Sequence, residues 1–201
     1  GAGLVLVGGG LTYYFWQGFA SSNPIEPEIF QSFNPLFIVA LTFLILGFFA
    51  WLNKRGQEPS TPKKIGIGMI IAALGFVLVL IASLNLVSPH ELAGEPVPDS
   101  SRVSPYWLVS SYLVLTIAEL FLSPMGLSFV SKVSPPRFQG LMQGGWLGAT
   151  AIGNKLLFVG SFLWDRIDLY LLWGIFVICC LVSAAFIFSI LKRLERVTSG
   201  A

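Results

Sequence analysis

Charge is scarce in this chain. Of 201 residues, 12 are Lys or Arg and 10 are Asp or Glu, 11% in all, where a soluble domain carries roughly a quarter. Histidine is rarer still: His90 stands alone in a polar stretch and is expected to be solvated rather than a ligand. There is no HExxH, no Ser/His/Asp set and no Cys/His spacing of a metal site, which argues against an enzyme and leaves no cofactor to expect. The two cysteines, Cys179 and Cys180, are neighbours in an apolar run, where they read as small apolar residues rather than a disulfide. A basic leader with a small-residue cleavage site is missing, as are low-complexity tracts and short-period repeats, which excludes solenoids. The chain opens on Gly1 and reads as a portion of something longer.

Apolar residues are abundant. They make up 55% of the chain, and the mean hydropathy is +0.79. Crossing a bilayer takes about 20 mostly apolar residues. Six stretches meet that need, roughly 3–21, 34–52, 65–88, 105–131, 140–164 and 168–191. Their continuity argues for helices rather than barrel strands, which would alternate over about ten residues. The fold class expected is therefore an all-α integral membrane protein with six transmembrane helices over residues 1–201.

The few charges are sorted by position. Lys54, Arg55, Lys63, Lys64, Lys132, Arg137, Lys192, Arg193 and Arg196 are nine of the twelve basic residues and fall in three segments. These alternate with segments holding Glu26, Glu28, Glu91, Glu95, Asp99, Asp165 and Asp168. By the positive-inside bias the basic segments are cytoplasmic, so both termini are expected there. The net charge of +2 reflects this bias and points to the lipid bilayer, with no nucleic-acid partner.

Against this background two ionisable residues inside spans stand out, Glu119 and Lys155. Each costs about 2.5–3.5 kcal/mol on insertion scales, so each is a functional candidate. Tyr112, Thr116, Glu119, Ser123 and Gly126 fall on one helical stripe. Pro124 removes a backbone donor just past Glu119 and predicts a kink. The stripe suits either a packing seam with a neutral carboxyl or a carboxylate lining a water-accessible path. In the first span, Tyr13, Trp16, Gln17 and Ala20 share a face, either an interfacial belt or a pocket lining. Asn34 directly precedes Pro35 and reads by itself as a helix cap. The run "GLMQGGWLGATAIGN" around Trp146 has the composition of close helix packing in lipid.

Taken together, "FQSFNPLF", "AELFLSPMGLSFVSKVSPPRFQGLMQGGWLGATAIGN" and the "FW" at residues 15–16 resemble the proton-coupled oligopeptide transporter (POT) family of the major facilitator superfamily. The resemblance implies the C-terminal six-helix half of a twelve-helix transporter, with an N-terminal half as partner in cis or in trans. It further implies di- or tripeptide substrates, proton symport and alternating access, in a plasma (inner) membrane. Carried over position by position, Glu119 matches the acid that receives the peptide amine and serves proton coupling. Asn34 matches the asparagine that contacts the peptide backbone, Trp16 and Trp146 match cavity aromatics, and Ser123 lies beside the acid.

Two departures qualify the resemblance. After "FW" the family usually carries an acid and a Gln where this chain has Ala20 and Ser21, and Lys155 is unusual after the Gly-Asn pair. The missing acid leaves an alternative, a non-transporting scaffold or sensor subunit that keeps the fold. Lys155 lies nine positions from Trp146, about half a turn away in angle. It is therefore expected not to neutralise Glu119.

Overall fold

In an apolar solvent every backbone N–H and C=O must find a partner within the chain, and a long charge-free run meets that demand by coiling into a helix. The computed structural model, which describes residues 27–92 and 103–199, is helical throughout its long elements, with no strand among the described residues. In chain order these are α1 (Pro27–Gln31), α2 (Phe33–Lys54), α3 (Thr61–Ser83), α4 (Pro89–Leu92), α5 (Tyr106–Val133), α6 (Gln139–Leu156), α7 (Phe158–Trp164) and α8 (Leu169–Ser199). Five helical stretches are long and apolar enough to cross a membrane: Ile29–Lys54, Thr61–Ser83, Tyr106–Val133, Pro136–Trp164 and Leu169–Arg196. The stretch 3–21, with Trp16 and Ala20, lies outside the described residues.

Local chemistry explains several helix ends. At the end of α2, Gly56 takes φ +66°, a left-handed conformation that glycine adopts without a Cβ penalty. Its N–H donates to Asn53 O at 2.9 Å, and Gln57 N–H donates to Leu52 O at 3.0 Å. That pair of bonds is a Schellman cap, and it turns the chain sharply into the next loop. Helix α3 then starts with Pro62 in its first turn, where the missing N–H costs nothing. Helix α5 stays helical through Pro124.

The packing is uneven. Helix α3 is the spine, running along both α5 and α8, while α2 and α6 lie against α5. Small residues let these backbones approach. A Cβ built on Gly75 would sit 2.8 Å from Leu115 on α5, and one on Gly66 would sit 2.9 Å from Phe188 on α8. The composition around Trp146 suggests the same role for α6, but its glycines find no such neighbour within this chain's described residues. Among the described residues nothing lies within 4 Å of a Cβ built on Gly140, Gly144, Gly145, Gly148 or Gly153. The glycines of α6 permit a close approach that no described element makes. Large apolar side chains stay open beside them on α6 (Leu141, Leu147, Ile152, Leu156) and on α2 (Leu36, Val39, Phe43, Leu44).

The two ends of the bundle differ in charge. At one end Ser60 donates to Glu195, and Glu58 accepts from Asn53 and from Lys64. At the other, Leu169 N–H donates to Ser88 Oγ at 3.2 Å, and His90 Nε2 lies 3.6 Å from Asp168. The basic loops thus gather at one end and the acidic loops at the opposite end.

Candidate substrate site

Two residues of the polar stripe on α5, Thr116 and Glu119, face α2. Asn34 sits in the first turn of α2, which begins at Phe33 after Ser32. It is therefore not the helix cap that its place before Pro35 had suggested; a residue inside the helix has its side chain available for a neighbour. Asn34 Nδ2 donates to Glu119 Oε2 at 3.3 Å, a contact between two helices through residues 85 apart in sequence. Thr116 Oγ1 donates to Asn34 Oδ1 at 3.1 Å. The three side chains form a directional chain, from hydroxyl to amide to carboxylate. Thr116 is only 1% exposed, whereas Asn34 and Glu119 are half-buried.

Gly126 lies seven residues beyond Glu119, about two turns along the same face. Its missing side chain is filled by Trp146 of α6: a Cβ built there would meet the indole Cζ2 at 2.1 Å. One face of α5 thus presents an acid with its amide partner and, about 10 Å further on, an aromatic wall. Ser123, between them in sequence, is exposed. Trp16 lies outside the described residues, so its position relative to Glu119 is not part of this geometry.

Lys155 is exposed on α6. Among the described residues no ion pair joins Lys155 to Glu119, in keeping with its angle from Trp146. A carboxylate whose described partner is a neutral amide keeps acceptor capacity for a cation or a proton. Thr116 was legible only as part of the stripe; its spacing of three from Glu119 was the one signal of a joint role.

Two other features lie away from this stripe. At the basic end Lys64 is buried, 4% exposed, its Nζ donating to Glu58 and lying 4.1 Å from the Phe49 ring centroid. The Lys64 ammonium, and then the Asn53 amide, hold the Glu58 carboxyl below its usual range. At the acidic end a cavity of about 360 Å³ is walled by Phe30, Trp107, Trp164 and Trp173. Nearby, His90, Glu91 and Asp168 bring ligand atoms within 4.8 Å of one another, but Glu91 already accepts the Ser88 N–H at 3.1 Å.

The chain resembles known proteins in sequence and in fold. The sequence model PTR2, the POT family, matches residues 18–168. The chain is 32% identical over 177 residues to the peptide transporter YePEPT of Yersinia enterocolitica, covering 85% of this chain and 33% of that protein. It is 31% identical over 132 residues to dipeptide and tripeptide permease A of Escherichia coli, covering 66% of this chain and 24% of the permease. Among solved structures, a peptide transporter POT in complex with sulfate superposes with a TM-score of 0.71 at 28% identity, over 89% of this chain and 33% of that one. A POT family transporter in complex with a thioalcohol-conjugated peptide gives 0.63 at 26% identity, over 82% of this chain and 31% of that one. The chain thus spans about a third or less of the length of these relatives. With the match to the family running over most of its length and five membrane-crossing helices on the page, this chain is a multi-pass membrane protein of the POT family.

Proposed function

We propose that this chain is the C-terminal six-helix half of a transporter that moves di- or tripeptides with protons by alternating access. The observation that carries the reading is the Asn34–Glu119 contact at 3.3 Å, which joins the two polar residues that a peptide backbone and its amine would need. Glu119 receives the substrate ammonium, and Asn34 donates to a peptide carbonyl. Trp146 lines the path and Ser123 lies beside the acid, and Trp16 is assigned to the substrate site by its match to the family's cavity aromatic. With Ala20 at the position of the family's coupling acid, Glu119 is the proton carrier in this half. A carboxylate that binds either a proton or an ammonium links the two cargoes, because each excludes the other.

The open apolar faces of α2 and α6 and the unvisited glycines of α6 support a partner half, in cis or in trans, packing there. The basic end faces the cytoplasm of a plasma (inner) membrane, with both termini on that side.

The test is uptake and binding of a labelled dipeptide by the complete protein in proteoliposomes. Glu119→Gln keeps the shape and removes the charge. Loss of one charge-assisted hydrogen bond should weaken binding of peptides with free N-termini by about ten- to a hundredfold. Unchanged binding in that variant would remove Glu119 from the site. Binding without uptake would mark a sensor or scaffold instead.

A further inference from the structure

Buried hydroxyls in these helices mostly turn back on their own backbone, the usual outcome for Ser and Thr inside a helix. Ser83 donates to Val79 O at 2.7 Å and Ser111 to Leu108 O at 2.8 Å. Thr116, the most enclosed of the buried polar side chains among the described residues, does otherwise. It gives its proton to Asn34 Oδ1 on a different helix, at 3.1 Å.

That choice has a chemical consequence. A side-chain amide has an acceptor end and a donor end, and an ionised carboxylate can only accept. With Oδ1 held by the Thr116 hydroxyl, Nδ2 is turned toward Glu119, where it donates at 3.3 Å. We infer that Thr116 is a positioning residue of the substrate site, pinning the Asn34 amide so that N–H donors, and no acceptor, face Glu119 and any ligand beside it. One N–H serves the carboxylate, and the second is left for the ligand. The pair then selects cations that carry a carbonyl next to the ammonium, as an α-aminoacyl group does, over amines that lack one. This inference rests on the reading of Asn34 and Glu119 as the peptide-binding pair.

Two ligands separate the roles: a dipeptide, and its (E)-alkene isostere, which keeps the shape and the ammonium but has no carbonyl. The complete protein in lipid should prefer the dipeptide. Thr116→Val, which removes the hydroxyl at nearly constant volume, should cut that preference about three- to tenfold, the value of one neutral hydrogen bond. The loss should appear in the dipeptide affinity and spare the isostere. Thr116→Ser restores the hydroxyl and should restore the preference. In an Asn34→Ala background Thr116→Val should have no further effect on it. Equal weakening of both ligands, failure of Ser to rescue, or full additivity with Asn34→Ala overturns the inference and leaves Thr116 a packing residue.

Thermal unfolding of the native protein, Thr116→Val, Asn34→Ala and the double variant without ligand gives an independent reading. Coupling between positions 116 and 34 is expected there, and full additivity overturns the link. A native protein that binds neither ligand overturns the peptide reading and the selectivity argued from it, while the ligand-free cycle still decides whether Thr116 holds Asn34.

Discussion

Trp146 lies across Gly126 so closely that one added methyl group would meet the indole at 2.1 Å. No rotamer change at a methyl relieves such an overlap, so either α6 or the Trp146 ring must move. Gly126→Ala should destabilise the protein by about 1–3 kcal/mol, the usual cost of overpacking, and weaken dipeptide binding with it. Trimming the ring in Gly126→Ala/Trp146→Leu should recover most of the unfolding temperature but not the affinity. A Gly126→Ala variant as stable as the native protein would show that the indole is not seated there.

The Glu58–Lys64 pair predicts a pH signature at the basic end. The Glu58 carboxyl is held below its ordinary value by the Lys64 ammonium first and the Asn53 amide second. A group with a lowered folded pKa contributes stability that is fully present above its unfolded pKa. That contribution is lost as pH falls through the folded one. Glu58→Gln should therefore lower the unfolding temperature at neutral pH, where it also leaves the buried Lys64 without its counter-charge. The gap between native and variant should close as the pH is taken below the ordinary carboxylate range. A gap that stays constant to the acid limit would assign the loss to shape rather than charge.

Lys155 is exposed on α6 and makes no ion pair with Glu119. A lysine kept on an apolar surface at such insertion cost belongs with a partner or with headgroups rather than with the substrate. Lys155→Met should leave dipeptide affinity within about twofold, a change below one neutral hydrogen bond. It should instead lower the unfolding temperature of the complete protein. A tenfold loss of affinity at full stability would place the ammonium at the site.

The segregation of charge between the two ends predicts sidedness. Gln57 and Asn85 are exposed in loops at opposite ends. With Cys179 and Cys180 replaced by serine, Gln57→Cys and Asn85→Cys can each be challenged in intact cells with a membrane-impermeant thiol reagent. Labelling is expected at 85 and not at 57, and the reverse pattern would invert the topology.

The helical class and the division into basic and acidic ends were legible because both follow from solvent: lipid forbids unpaired backbone and sorts charge. Glu119 was legible because a carboxylate in an apolar run needs a reason. The relation of Asn34 to Glu119 was not readable from spacing alone, since Asn-Pro at a helix start has an ordinary local explanation and the contact spans 85 residues. Small residues announced close packing but not which neighbour would use it. Gly66 and Gly75 of α3 meet side chains of α8 and α5, while the glycines of α6, richer in the same signal, meet nothing among the described residues. Lys64 looked like one more loop cation; its burial depends on Glu58 folding back over it, which composition cannot convey.

Among the described residues of α2 one side chain is buried, Phe49, set edge-on against Phe121 with ring centroids 4.9 Å apart. Asn34 lies fifteen residues away, about 22 Å along the helix axis. Helix α2 is therefore built like a lever, with its fulcrum at the basic end and a catch at the other, where Asn34 hooks onto α5. Glu119 rides on the packed layer of α3, α5 and α8, and Asn34 rides on the arm. On an arm of ~22 Å a rotation of a few degrees about Phe49 is a displacement of an ångström or more at the far end, which makes the Asn34–Glu119 distance a sensitive gauge of how α2 lies on α5.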